Sequence, residues 1–144
     1  MEVKKSPRYQ YKANIKDFIE SDAFYILGLL HDAFHGQQLT TTNDAWFQEI
    51  KILQKVLAPW KEEKGDVIFE YNIPRLGKRI DVVVLLRGII FCLEFKVGEK
   101  DILKADVEQV LDYALDLKKR GKKYLFRHRC SRSREDTGWI RRSC

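Results

Sequence analysis

Three cysteines in 144 residues, an odd number, argue against a disulfide scaffold. The opening residues Met1-Glu2-Val3-Lys4-Lys5-Ser6-Pro7 lead into no apolar segment of the kind a secretory signal needs, and no run approaches the ~20 apolar residues that span a bilayer. These absences predict a reducing, cytoplasmic setting and no membrane partner. No internal repeat or long low-complexity stretch appears, and 44% hydrophobic residues supply a core for one small domain. His31 and His35 lie four apart, but no cysteine or second histidine pair completes a zinc set, so they read as partly exposed histidines.

Charge is distributed unevenly. Residues 118–144 hold 11 Lys and Arg against 2 Asp and Glu, which leaves 16 against 19 for residues 1–117. The formal net charge of +6 is therefore a property of the tail. A basic tail binds phosphate backbones without sequence preference, but the domain itself is slightly acidic and its net charge does not mark it as a nucleic-acid binder.

What is present is a hairpin with acids in it. Residues 80–86 read Ile-Asp-Val-Val-Val-Leu-Leu and residues 89–97 read Ile-Ile-Phe-Cys-Leu-Glu-Phe-Lys-Val, separated only by Arg87-Gly88. A two-residue turn there sets Leu86 against Ile89 and, counting back, Asp81 against Glu94. Directly opposed residues have Cβ atoms roughly 4.5–5.5 Å apart. Alternation puts Lys96 on the face of Glu94, and Ile80, Val82, Val84, Phe91, Leu93 and Phe95 on the other. Two carboxylates so close in an apolar sheet need a cation or a shared proton. A hard divalent ion such as Mg²⁺, or Mn²⁺ in its place, suits Asp81 and Glu94, with Lys96 beside it to orient water and stabilise charge on a phosphate.

Asp81 followed by Glu94-Phe95-Lys96 resembles the D…(D/E)-x-K signature of the PD-(D/E)xK nuclease superfamily, with Ile80 in place of the proline. Gln109-Val110-Leu111-Asp112-Tyr113 is similar to the Q-x-x-x-Y motif of its recombination-exonuclease-like members. Gln109 and Tyr113 project from one face of a helix beginning near Asp101 or Asp106. The resemblance implies that this pair contacts DNA or steadies the lysine. A third match is Glu49, bordering the apolar stripe Trp46, Ile50, Leu53, Leu57 of a helix that Asn43 or Asp44 caps. A glutamate on the family's first helix points at the metal site. The alternatives are a surface Glu49 paired with Lys51 or Lys55, and Glu70 as the third acid.

The resemblance implies an α/β fold, a restriction-endonuclease-like core with a mixed sheet flanked by helices in the order α-β-β-β-α-β, its last strand short or missing. It divides the chain into an accessory helical segment (1–43), a nuclease-like core (44–126) and a basic irregular tail (127–144). The accessory helix runs from Phe18 to Phe34 through Phe24, Leu27 and Leu30, ended by Gly36. Residues 17–117 also look like the amino-terminal region of bacterial proteins in which such a domain precedes a Schlafen-group-3-like DNA/RNA helicase. The G-x-x-x-x-G-K-[ST] phosphate loop of a helicase is absent. Lys122-Lys123-Tyr124-Leu125-Phe126 offers a short last strand, and the tail reads as the product of truncation or a frame shift.

The expected activity is Mg²⁺-dependent phosphodiester hydrolysis of DNA, ahead of RNA, with a helicase or ATPase domain as partner. Asp81, Glu94 and the Phe95 carbonyl would hold the ion, Lys96 would position water, and Glu49 would complete the site. A non-catalytic nucleic-acid-binding or regulatory module on the same fold, and a non-functional fragment, are the alternatives.

Overall fold

A computed structural model describes residues 8–33, 40–73, 76–96, 101–118, 123–126 and 129–130. Its elements are β1 (Tyr11–Asn14), α1 (Ile15–Glu20), α2 (Ala23–Ala33), α3 (Thr40–Leu57), β2 (Gly65–Ile73), β3 (Lys78–Leu86), β4 (Ile89–Leu93), β5 (Phe95–Lys96), α4 (Lys104–Lys118), β6 (Lys123–Phe126) and β7 (Arg129–Cys130). One mixed sheet runs β1-β2-β3-β4-β6: its first four strands are antiparallel and β6 joins β4 in parallel. The parallel return needs the α4 crossover, as parallel pairing requires. Strands β5 and β7 pair separately.

Each face of the sheet carries its own core. Ile15, Phe18, Ile26, Leu30, Trp46, Ile50, Leu53 and Leu57 of α1–α3 pack on Val67, Phe69, Val82, Val84 and Leu86. Val110, Tyr113 and Leu117 of α4 pack on Ile68, Ile73, Ile80, Val83, Ile90 and Cys92. The result is three layers, helices on both sides of a sheet. The expected stripe of α3 is buried throughout, but the helix already begins at Thr40, so Asn43 and Asp44 lie inside it rather than capping it.

The hairpin register is as the sequence implies. Leu86 pairs with Ile89 and the ladder continues to Val82 opposite Leu93. Arg87 and Gly88 both have positive φ (52° and 73°), the geometry a tight two-residue hairpin turn requires. One residue departs from the expected alternation: Ile80 belongs to the α4-side core, while Val82 two positions on faces α3. The cause lies across the ladder. Glu70 has a left-handed φ of 55°, and the Glu70–Asp81 pairing is missing between Phe69↔Val82 and Tyr71↔Ile80. The strands keep register through this point but exchange faces.

The helix expected from Phe18 to Phe34 is divided between α1 and α2, and a strand precedes them in the accessory segment. Strand β1 pairs with β2 and ties residues 11–14 into the sheet. Helix α1 is capped by Asn14, whose Oδ1 accepts the Asp17 N–H at 2.8 Å. It stops at Ser21, which is extended, and Asp22 then accepts the N–H groups of Phe24 and Tyr25 to start α2. Gln54 of α3 seats the break by donating to the carbonyls of Phe18 and Ser21. The break shifts the helical phase. Ala23, Ile26 and Leu30 are buried, whereas Phe24 is 69% exposed and lies against Phe47. Phe34, His35 and Gly36 lie outside the described residues, as does most of the tail, of which Arg129–Cys130 forms the short β7.

Candidate functional site

Four acids, from three elements and the β4–β5 junction, converge where the central ladder loses its regularity. Asp81 is on β3, Glu94 follows β4 immediately, Glu70 is on β2 and Glu49 is on α3. Past Val82↔Leu93 the register continues to Asp81 and Glu94, but the ladder does not. Asp81 instead turns its Oδ2 to the Phe95 N–H at 3.0 Å, supplying the backbone donor with the acceptor that the ladder no longer gives.

Glu49 is 6% exposed. It lies on the buried flank of α3 because it follows Trp46 by three and precedes Leu53 by four. Its Oε2 is buried without a hydrogen-bond partner, and the same holds for Glu94 Oε2. Burial pushes the Glu49 carboxyl up to about 9, and the charges of Asp81, Glu70 and Glu94 add to the effect. Burial and then Asp81 push Glu94 up to about 7, against the pull of Lys96 and the Gln109 hydrogen bond. Asp81 is raised by burial as well, moderated by the Phe95 N–H, Lys96 and Arg79.

Glu70 differs from the others in having an arginine as ion-pair partner, although its Oε2 makes no hydrogen bond. Its Oε1 accepts the Trp46 indole N–H at 2.9 Å, and its Oε2 is ion-paired with Arg79 Nε. Of the two glutamates that compete as third acid, Glu70 thus has an arginine beside it, whereas Glu49 lies against the other acids with its Oε2 buried and without a hydrogen-bond partner.

Helix α4 supplies the opposing wall. Asp106, Gln109 and Tyr113 share one face, at spacings of three and four. Gln109 Nε2 donates to Glu94 Oε1 and to the Tyr113 hydroxyl, both at 2.8 Å. The Gln–Tyr pair thus holds Glu94, while the lysine has another partner: Lys96 Nζ lies 3.1 Å from Asp106 Oδ1. The second oxygen of Asp106 accepts the Leu103 N–H at 3.0 Å, fixing the first turn of α4.

Asp106 and Arg79 are the site residues that motif reading passes over. Asp106 was readable from spacing, three before Gln109 on a helix, whereas Arg79 was not, because β3 exchanges faces between Ile80 and Val82.

Among the described residues, no group of three or more His, Cys, Asp and Glu side chains is arranged to hold a metal ion. The donor set nevertheless has the chemistry for a hard divalent cation. Glu49 Oε2 and Glu94 Oε2 are buried without hydrogen-bond partners, and the acids raise one another's proton affinity. No family model, curated protein or solved structure matches the chain. No helix among the described residues is long and apolar enough to cross a membrane.

Proposed function

We propose that the chain is a divalent-metal-dependent phosphodiesterase acting on nucleic acid, a nuclease of the PD-(D/E)xK type on a restriction-endonuclease-like core. The observation that carries this reading is the convergence of Asp81, Glu94, Glu49 and Lys96 at one break in the sheet, with unpartnered buried oxygens on two of the acids. A purely structural role accounts poorly for them, because buried acids without partners cost stability that apolar residues of similar volume would not. The element order α3-β2-β3-β4-α4-β6, with β6 parallel to β4, supports the same reading.

Asp81 and Glu94 would hold Mg²⁺ or Mn²⁺, with the Phe95 carbonyl as a further oxygen and Glu49 completing the set. When bound, the ion supplies Lewis-acid polarisation of a phosphoryl oxygen and a water of lowered pKa. Gln109 and Tyr113 fix the Glu94 carboxylate so that its other oxygen faces the site. Lys96, 22% exposed and steadied by Asp106, orients the attacking water and offsets charge on the phosphate. DNA is the preferred substrate over RNA, and a helicase or ATPase domain is the expected partner.

The test is cleavage of linear and circular, single- and double-stranded DNA with Mg²⁺ or Mn²⁺, beside EDTA and Lys96→Ala. Metal-dependent cleavage lost in Lys96→Ala with an unchanged thermal midpoint is the expected outcome, and cleavage that survives both Lys96→Ala and Asp81→Ala sinks the assignment. One observation favours a second reading, a non-catalytic nucleic-acid-binding module: the Lys96 ammonium is already ion-paired with Asp106. Binding of DNA without divalent-dependent cleavage would select it.

A further inference from the structure

Among the described residues, only Glu70 has a left-handed φ within a strand, at 55°. A residue with a Cβ adopts this conformation at a cost, and such strain tends to collect where function requires an unusual geometry. Apolar packing does not explain it, since Glu70 is a buried carboxylate flanked by core residues on β2. Its conformation instead places the carboxylate between the Trp46 indole N–H, which donates to one oxygen, and Arg79 Nε, which is ion-paired with the other. Trp46 is itself buried on α3. The arginine is thereby referenced to a rigid core residue through a buried acid.

Arg79 remains 45% exposed at the far end of this relay. It stands two residues before Asp81 on β3. The charges of both Arg79 and Lys96 act on Asp81, so cations flank that carboxylate. Lys96 is the more enclosed of the two, tied to Asp106 and 22% exposed. An anionic strand approaching Asp81 from solvent meets the guanidinium first. An arginine whose Nε edge is held by a carboxylate has the plane of its fork fixed, the condition for directional recognition of phosphate oxygens.

We propose that Arg79, seated by Glu70 and Trp46, binds a phosphate oxygen of the nucleic-acid strand at the rim of the acid cluster. This rests on the proposed function and adds a phosphate-binding site to it. Glu70 then serves as a positioning residue for Arg79 and not as a metal ligand, in agreement with its Trp46 hydrogen bond and its Arg79 ion pair.

The experiment is equilibrium binding of fluorescein-labelled single-stranded and duplex oligonucleotides in Ca²⁺, over a salt series, with cleavage in Mg²⁺ measured in parallel. Arg79→Ala should weaken binding roughly tenfold and lower the slope of log K against log salt by about one. Because that change strands Glu70, the double variant Glu70→Gln/Arg79→Ala is measured beside it and should show the same loss of slope. Arg79→Lys should restore the slope without the full affinity, and Glu70→Gln should keep the slope while weakening binding several-fold. Lys16→Ala removes an exposed cation at the opposite end of the sheet, where it pairs with Glu62, and should match the wild type. Wild-type slope and affinity in the double variant overturn the inference and leave the nuclease reading standing. A folded wild type that neither binds nor cleaves either probe overturns both.

Discussion

In EDTA, the folded protein should lose stability as the pH rises from about 6 to about 8, opposite to a fold held together by ion-paired carboxylates. Glu49 is pushed up to about 9 and Glu94 to about 7, both from an ordinary value of 4.5. Across this window the unfolded chain has already lost both protons, whereas the folded protein keeps that of Glu49 and gives up that of Glu94 near the middle. The native state therefore binds more protons, and stability falls with rising pH. Put in terms of each group, its contribution is fully present below the unfolded value and disappears as the pH climbs through the folded one. One excess proton corresponds to about 1.4 kcal/mol per pH unit. Glu94 contributes over about one unit of the window and Glu49 over about two, so the loss is about 4 kcal/mol. For a domain of this size that is a drop in thermal midpoint of about 10 °C.

Differential scanning fluorimetry or calorimetry at several pH values, in EDTA and in Mg²⁺, reads this directly. The pairs Lys61–Glu20 and Arg87–Glu63 do not confuse the result, because their partners hold Glu20 and Glu63 below the usual carboxylate value and both have finished titrating before the window opens. A midpoint that is flat or rises with pH in EDTA refutes the argument. Mg²⁺ should recover much of the loss at the upper end, since an ion that binds only the folded state stabilises it. A falling midpoint that Mg²⁺ does not recover would mean a buried acid cluster with no affinity for the ion.

Glu49→Gln should raise the EDTA midpoint at pH 8 and flatten its pH dependence while weakening Mg²⁺ binding by isothermal titration calorimetry; a lower midpoint would show that the carboxylate supports the fold. Asp106→Asn keeps an acceptor for the Leu103 N–H but removes the anion beside Lys96, so cleavage should fall about tenfold with a midpoint shift of only ~1–2 °C. Gly65→Ala is a purely structural change: its Cβ would stand 2.3 Å from the Leu85 carbonyl oxygen and 2.6 Å from Ile15 Cδ1. That should cost about 2–3 kcal/mol in urea denaturation, and a loss below ~0.5 kcal/mol would show that the backbone yields easily.

How much of this was legible in the sequence depends on which forces act locally. The hairpin could be read because a two-residue turn fixes every later pairing, so Asp81 and Glu94 follow from Arg87-Gly88 by counting. The α3 stripe could be read because Trp46, Ile50, Leu53 and Leu57 repeat at helical spacing. The split between α1 and α2 was less visible: Ser21-Asp22 is a stop and a cap, but the apolar residues on either side continue a helical pattern across it. Strand β1 has only four residues and takes its place from pairing with β2, which no local pattern announces. The exchange of faces at Ile80 was illegible for the same reason, since its cause is the backbone of Glu70 on the neighbouring strand.

The hydrogen bonds also rearrange the roles that motifs suggest. Reading Glu94-Phe95-Lys96 and Gln109…Tyr113 as separate motifs leaves open which members meet. In the structure the glutamine meets the glutamate, and the lysine meets Asp106, a residue outside either motif. Helix α4 therefore holds both Glu94 and Lys96, which flank the junction of β4 and β5, and is packed on the sheet through Val110, Tyr113 and Leu117. A change in the docking of α4 would displace Glu94 and Lys96 together. The positions of Glu94 and Lys96 thus depend on how this one helix packs, and substitutions in its buried apolar face should disturb them before they disturb Glu49 and Glu70, which are held from the opposite layer.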